Sequence, residues 1–213
     1  MKPSGASERR NDMDWITNID DLHARYGTPK APALRKVTKT LVPAYRDWIA
    51  QSRFCILSTV GPDGTDGSPR GDSEPVVTVP DDETLLLPDW QGNQRLDSLR
   101  NILRDGRVSL LFLIPGSTTC IRVNGTARLT GDAPFCARFE RDGKHPRTVI
   151  VIRVGEVYSQ CARALQRSEL WTVGDCSGNL PSAGQMLQDA TRGEMDGVAY
   201  DAERATRAHL GWW

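Results

Sequence analysis

The sequence has no hydrophobic run long enough to cross a lipid bilayer, and it carries no excess of charge of either sign. Its longest nearly unbroken apolar stretch, Val108 to Ile114, is far short of the roughly 20 residues that a membrane-spanning helix needs. Lys plus Arg and Asp plus Glu number 27 each, so the chain has no overall field that would attract polyphosphate or an anionic surface. We therefore expect no nucleic-acid partner and no membrane partner.

Metal-binding patterns and disulfide patterns are also missing. The five cysteines include no Cys-X-X-Cys pair, and the three histidines are scattered as His23, His145 and His209, so no metal site is expected. An odd number of cysteines cannot all pair within one chain, and the amino-terminal residues lack the apolar segment of a signal peptide. These features favour a reduced, cytoplasmic protein.

The length of the chain fits one domain. Residues 1–14 are polar and aperiodic, which predicts a flexible tail, and residues 15–213 are predicted to form a single domain with helical additions at both ends. Asn18 or Asp20 can cap a first helix that ends at Tyr26. The other helices expected outside the sheet cover residues 43–49, 161–171, 182–190 and 197–209.

From about residue 53 to residue 153, short β-rich runs alternate with turn residues, which predicts an antiparallel sheet of six strands. Closure of this sheet into a barrel would remove its exposed edges. We expect the first three strands to form a meander and one helix, Arg95 to Asp105, to interrupt the sheet after the third strand. The predicted strands are 54–60, 68–79, 84–87, 108–114, 120–130 and 148–158, with a short helix at 135–141.

The glycine-rich segment GPDGTDGSPRG, residues 61–71, follows the first strand. Its glycines do not have the spacing of a dinucleotide-binding turn, and they lead into another extended segment, so a hairpin turn is the better interpretation. Arg70 lies between small residues that would let a ligand approach the backbone closely. From the spacing alone, Arg70 could hold an anion or form a surface ion pair with Asp72 or Glu74.

The segment LPDWQGNQRLDSLRN, residues 87–101, joins the end of a strand to the start of a helix. Free backbone amides and the positive end of the helix dipole make such a start a suitable anion site. Arg95, Ser98 and Asn101 recur at three-residue steps and could add a polar face to that site. An ordinary helix capped by Asn93 explains the same residues equally well.

The segment CARALQRSELW, residues 161–171, places Arg163 and Arg167 four residues apart on a predicted helix. Two like charges at this spacing destabilise a helix slightly unless an anion binds between them. Trp171 is predicted one turn further along, where it could stack on a heterocycle or cover the edge of the core. No nucleophile and base pair is identifiable in the sequence, so a bound cofactor would have to carry any redox chemistry.

Four segments together resemble one family. FCILSTVGPDGTDGSPRGD, LLLPDWQGNQRLDSLRNILRDGRVSLLFLIPG, IRVNGTARLT and PRTVIVIRVGEVYSQCARALQRSELW look like the pyridoxamine 5′-phosphate oxidase-like FMN-binding split barrels, over about residues 50–172. The likeness is greatest to a bacterial branch that carries SPRGD and CxxAxxRSxLW. The resemblance implies a mainly β protein with peripheral helices, built on a six-stranded antiparallel Greek-key split β-barrel. It also implies a homodimer with FMN held at the subunit interface.

The resemblance also implies three groups of cofactor contacts. The residues implied to contact the FMN phosphate and its surroundings are Ser68, Arg70, Gly71, Asn93, Arg95 and Ser98. The residues implied to line the edge of the isoalloxazine ring are Pro88, Asp89 and Trp90. The partner subunit is expected to contribute Gln160, Arg163, Arg167 and Trp171, with one of the two arginines near N1 of the flavin.

The family's oxidases end in a motif of tryptophan and arginine, whereas this chain ends in AHLGWW. Pyridoxamine phosphate is therefore not the expected substrate. The function implied is an FMN-dependent oxidoreductase that acts on an unknown small molecule, with no catalytic side chain assigned. The alternatives are a noncatalytic flavin-binding module and a reductase that uses the deazaflavin F420.

Overall fold

The computed structural model describes residues 13–90, 92 and 94–207. The chain forms two compact units, Met1–Lys36 and Val37–Trp213, and the predicted division into a tail, residues 1–14, and one domain stays a prediction. The first unit contains α1 (Ile19–Tyr26) and α2 (Ala31–Arg35). Asn18 caps α1 as predicted, because its side chain accepts a hydrogen bond from the Asp21 amide. The sequence analysis missed α2, which spans only five residues.

The second unit contains the sheet and the remaining helices. Its helices are α3 (Pro43–Ile49), α4 (Asp97–Arg104), α5 (Ala133–Cys136), α6 (Arg163–Arg167), α7 (Ala183–Ala190) and α8 (Gly197–Arg207). Its strands are β1 (Phe54–Gly61), β2 (Gly64–Gly71), β3 (Thr84–Asp89), β4 (Arg107–Leu113), β5 (Thr119–Thr130) and β6 (Thr148–Cys161). The part of the chain that the structure describes contains no helix with the length and hydrophobicity needed to span a bilayer.

The six strands form one antiparallel sheet in the order β2-β1-β4-β5-β6-β3. The predicted meander is wrong, because β3 pairs with β6 at the far edge of the sheet and not with β2. The predicted second strand, 68–79, is also placed too late. The chain turns tightly after Gly61, so β2 already pairs with β1 from Gly64 onward, and the chain after Gly71 is no longer part of that pairing.

The sheet curls until its two edge strands approach each other. Arg70 on β2 forms an ion pair with Asp89 on β3, although the two strands lie at opposite ends of the strand order. The segment after β2 covers part of the other edge, since Thr78 and Leu86 exchange two backbone hydrogen bonds of 2.9 Å. The architecture is the Greek-key split β-barrel with peripheral helices that the sequence predicted.

Alternating strand residues form the core inside the curled sheet, as the two-residue period of a half-buried strand requires. Leu57, Phe112 and Val123 are fully buried representatives from β1, β4 and β5. Helix α4 packs against β1, β2 and β5 and contributes Ile102 to the same cluster. A second side chain of α4, Leu99, packs against the cluster.

Two other leucines of this segment are exposed. Leu96 precedes the helix and Leu103 faces solvent, so the apolar side of α4 is narrow. The polar residues Ser98 and Asn101 occupy part of the face that lies on the sheet. The observed helix, Asp97–Arg104, is also shorter than the predicted Arg95–Asp105.

Helix α6 ends earlier than predicted. Helix α6 covers only five of the eleven residues predicted at 161–171, because Glu169 adopts a left-handed conformation with φ of 52°. The amides of Glu169 and Leu170 bond back to Gln166 and Leu165, which is the Schellman pattern that ends a helix. Glycine usually occupies this position, so a glutamate there does not predict the end of a helix. Helix α8 confirms the last prediction up to residue 207, and residues 208–209 lie outside the described residues.

A β-bulge bends the longest strand. On β5, Asn124 and Gly125 pair with Glu156 and Val154 of β6, which leaves Gly155 as the extra residue. The backbones approach so closely here that a Cβ on Gly125 would lie 2.1 Å from the carbonyl oxygen of Arg153. Glycine is therefore needed at position 125 because there is no room for a side chain, and not because of its φ angle.

We expect Gly125→Ala to lower the free energy of unfolding by about 1–3 kcal/mol or more, because the added methyl group must push two strands apart. Gly178→Ala is the matched control, since a Cβ on Gly178 meets no atom within 4 Å. Urea unfolding of both variants measures the difference. Equal stabilities of the two variants would contradict the assigned close approach.

Candidate functional site

The main cavity, of about 490 Å³, lies where the two sheet edges meet the start of α4. Its walls are the inward face of β2, the end of β3, residues 94–99 and Arg147. Ligand-binding cavities in proteins commonly measure roughly 300–1,000 Å³, so this cavity has room for a cofactor. Most of the predicted phosphate and ring contacts fall on these walls.

Residues 66–70 of β2 line the cavity, and their side chains alternate between the two faces of the strand. Asp66, Ser68 and Arg70 are half-buried on the inward face, whereas the intervening Gly67 and Pro69 are exposed. The sequence analysis predicted Ser68 and Arg70 and missed Asp66. The same two-residue alternation would have predicted Asp66 if the second strand had been expected to begin at Gly64 and not at residue 68.

Arg70 is the most enclosed cation of the cavity. Its Nη1 donates to Asp89 Oδ1 at 2.5 Å, and the two side chains are 21% and 13% exposed. Its Nε is buried and has no hydrogen-bond partner among the described residues. The expected alternative of an ion pair with Asp72 or Glu74 is wrong, because Asp89 takes that place. Arg70 therefore keeps one donor that a bound ligand could satisfy.

The start of α4 differs from the predicted anion site. The helix begins at Asp97, so Arg95 lies two residues ahead of it and pairs with the Asp97 carboxylate. Gln94 and Leu96 have positive φ values of 59° and 63°, and Leu96 provides no side-chain cap. Asp97 already places a negative charge at the positive end of the helix dipole. The predicted cap and contact Asn93 lies outside the described residues.

Ser98 and Asn101 point onto the sheet, and neither forms a continuous polar face with Arg95. Ser98 is 4% exposed, and its hydroxyl donates to Asp66 Oδ2 at 2.6 Å. The Asn101 amide donates to Thr59 Oγ1 at 3.1 Å. Ser98 does line the cavity, but its proton is already given to a carboxylate.

Arg147 is the cavity cation that the sequence analysis missed. It directly precedes β6, and the pairing of Asp89 with Thr148 brings it beside the end of β3. Arg147 forms no ion pair with any carboxylate in the described ranges. The sequence shows only that Arg147 precedes the sixth strand. The pairing of β3 with β6 is what brings this arginine to the cavity, and no local pattern predicts that pairing.

The remaining ring contacts separate into two places. Asp89 and Trp90 line the main cavity, whereas Pro88 lines a neighbouring cavity of about 410 Å³. Gly71 ends β2 next to Arg70 without lining the main cavity. The cavity holds equal numbers of arginine and aspartate residues, so a bound anion would depend on particular side chains and not on a general positive field.

The residues predicted to come from the partner subunit lie far from the cavity of their own chain. Gln160 is near the end of β6, about 40 Å along the strand from Thr148 at 3.3 Å per residue. Arg163 and Arg167 begin and end α6 and are exposed. Trp171 lies beyond that helix, and its indole donates to the Ser117 carbonyl at 3.2 Å. Their contribution to a partner's cavity stays a prediction.

Cys55 lies beneath the cavity, opposite Arg70 in the pairing of β1 with β2. Burial raises the pKa of its thiol from 9.0 to about 12, and the charge of Arg70 lowers it in part. The thiol is therefore protonated at neutral pH and is not available as a nucleophile. Within the described ranges, no cluster of three or more His, Cys, Asp or Glu residues could hold a metal ion.

Comparisons with known proteins give one matching family model and several similar solved structures. A family model described as pyridoxamine 5′-phosphate oxidase matches residues 41–161, more than half of the chain. A search of curated proteins gives no match. Among solved structures, HupZ from Group A Streptococcus is 18% identical, with a TM-score of 0.46 over 57% of this chain and 95% of that chain.

Two further solved structures are similar to this chain. An FMN-binding protein from Syntrophomonas wolfei is 17% identical, with a TM-score of 0.42 over 54% of this chain and 82% of its own. A FAD-binding protein from Mesorhizobium loti is 14% identical, with a TM-score of 0.39 over 58% of this chain and 96% of its own.

The Arg70–Asp89 pair predicts a measurable coupling energy. We expect a double-mutant cycle of Arg70→Gln and Asp89→Asn to give about 2 kcal/mol, because both side chains are largely withdrawn from water. The exposed Arg46–Asp82 pair is the control and should give less than about 1 kcal/mol. Urea unfolding of each set measures both values. Equal coupling in the two cycles would refute a closing role for Arg70 and Asp89.

The Cys55 thiol predicts how stability changes in alkali. The unfolded chain loses this proton near a pKa of 9.0, whereas the folded protein keeps it up to about 12. The free energy of unfolding therefore falls as the pH rises through this interval, by at most about 1.4 kcal/mol per pH unit. Urea unfolding at about pH 8 and about pH 10.5 should show a larger loss in the wild type than in Cys55→Ala. Parallel losses would disprove the assignment.

Proposed function

Because this chain belongs to the pyridoxamine 5′-phosphate oxidase family, we propose that its main cavity binds FMN and that the loaded protein is an oxidoreductase acting on a small molecule. The observation that carries the proposal is the convergence of three arginines from separate elements on one cavity. Arg70 comes from β2, Arg95 precedes α4 and Arg147 precedes β6.

The residues present fit a phosphorylated ligand. Arg147 has no carboxylate partner among the described residues, and the exposed Arg95 forms an ion pair with Asp97, two positions away. A guanidinium group that meets a phosphate forms short, charge-assisted hydrogen bonds, frequently two at a time. We assign the phosphate to Arg95 and Arg147 and not to Ser98, because the Ser98 hydroxyl already donates its proton to Asp66.

The enclosed side of the cavity suits the flavin ring. Trp90 offers a flat aromatic surface, and the buried Nε of Arg70 offers a hydrogen-bond donor. Ser68 and Asp89 line the same side. When bound, the flavin supplies the capacity to accept or donate two electrons, and the protein supplies position and charge.

The dimer is part of the same proposal. Among the described residues, neither the end of β6 nor α6 lines the cavity of its own chain. The exposed Arg163 and Arg167 of α6 have no ion-pair partner among the described residues. A second copy that laid this region over the cavity would complete it with Gln160, Arg163, Arg167 and Trp171. The like charges of the two arginines would then face an anionic flavin.

We expect the purified protein to bind FMN and Arg147→Ala to raise its Kd about tenfold or more, because a charged hydrogen bond to the phosphate is lost. Arg128→Ala is the matched control, since Arg128 is an exposed arginine of β5 outside the cavity and its loss should change the Kd by less than about twofold. Flavin fluorescence titration measures both values.

Three results would count against the assignment. FMN affinity that is the same in Arg147→Ala, Arg95→Ala and wild type would exclude the phosphate site. Tighter binding of FAD or F420 in the same titration would replace FMN by that ligand. Bound FMN that neither NADH nor NADPH reduces without oxygen would favour a noncatalytic binding module.

A further inference from the structure

The connection between β5 and β6, residues 131–147, contains a tight hairpin at residues 141–144, and these four residues are separate from the contacts assigned above. Arg141 and Lys144 exchange two backbone hydrogen bonds of 2.9 and 2.8 Å. Asp142 and Gly143 between them have positive φ values of 50° and 74°, as a two-residue turn of this kind requires. The backbone position of Arg141 is therefore fixed.

The side chain of Arg141 joins the residues that directly follow both edge strands. Its Nη1 donates to Asp72, the first residue after β2, whose side chain is only 5% exposed. Its Nη2 lies 3.9 Å from Glu74. Its guanidinium carbon lies 5.9 Å from the ring centroid of Trp90, the first residue after β3. An arginine over a tryptophan ring at this distance is attracted to it.

The contact between Arg141 and Trp90 lies between two cavities. Trp90 lines the main cavity, whereas Arg141 lines the neighbouring cavity together with Pro88 and Glu74. The indole is thus held from outside the main cavity by a cation that is itself held by a nearly buried carboxylate. Because the guanidinium group restricts the orientation of the indole ring, the ring is already oriented before a ligand binds beside it.

We propose that Arg141 is a positioning residue that orients Trp90 and thereby sets the affinity of the main cavity for flavin. The inference rests on the proposed function, since it assigns the effect to a flavin bound beside Trp90. Arg141 itself does not line the main cavity. We assign its influence to the indole ring, because Arg141 contacts Trp90 and Trp90 lines that cavity.

Arg138 provides a matched control within the same connection. Its guanidinium carbon lies 5.1 Å from the ring centroid of Phe135, and it lines the same neighbouring cavity as Arg141. Arg138→Ala therefore removes one cation and one contact with an aromatic ring from the same segment, without removing the contact to Trp90.

The test is a double-mutant cycle on FMN binding. We expect Arg141→Ala to raise the Kd for FMN roughly fivefold in the wild-type background and less than about twofold in Trp90→Phe. Arg138→Ala should leave the Kd unchanged. Arg141→Lys keeps the charge but loses the planar fork between Asp72 and Glu74, so an intermediate Kd is expected. The visible circular dichroism of bound FMN should change in Arg141→Ala and not in Arg138→Ala.

Two results would overturn the inference while leaving the proposed function intact. One is an unchanged Kd in Arg141→Ala, and the other is the same increase in the Trp90→Phe background as in the wild type. A wild-type protein that binds no flavin would overturn both proposals. If Arg141→Ala does not fold, Asp72→Asn releases the guanidinium with little change in volume, and the same fivefold loss and the same dependence on Trp90 are expected.

Discussion

The ion pair between Arg70 and Asp89 is the contact on which the site depends. It joins the two strands that have only one sheet neighbour each, so it converts a curled sheet into a nearly closed barrel. The main cavity lies at this junction, and both members of the pair line it. The stability of the fold and the shape of the cavity therefore rest partly on the same two charges, and the fold cannot open at this seam without changing the cavity.

Local patterns in the sequence were sufficient to predict the strands but not their neighbours. The two-residue alternation and the turn residues placed six strands and the interrupting helix, because these signals depend on residues close in the chain. The partner of β3 depends on contacts with β6, about sixty residues later, and no local pattern records that choice. Arg147 was missed for the same reason, since only this pairing brings it to the cavity.

The candidate site was predicted where side chains follow strand periodicity and was misjudged where the backbone is unusual. Ser68 and Arg70 lie on the inward face of β2 as expected, and Asp89 and Trp90 follow from the end of β3. The start of α4 was placed too early, because the left-handed conformation of Leu96 is uncommon outside glycine and asparagine. A leucine in the sequence does not indicate that its backbone will be left-handed, so the later start of α4 could not be predicted.

The bulge at Gly155 determines which side of the barrel wall the end of β6 presents. Before the bulge, Ile150, Ile152 and Val154, at even positions, belong to the main core cluster, and after it Val157, at an odd position, does so. The buried Val149 belongs to a separate cluster. One inserted residue exchanges the two faces of everything that follows. An uninterrupted strand would have turned Gln160 toward the apolar interior. The bulge turns it outward, where a residue of another molecule could reach it.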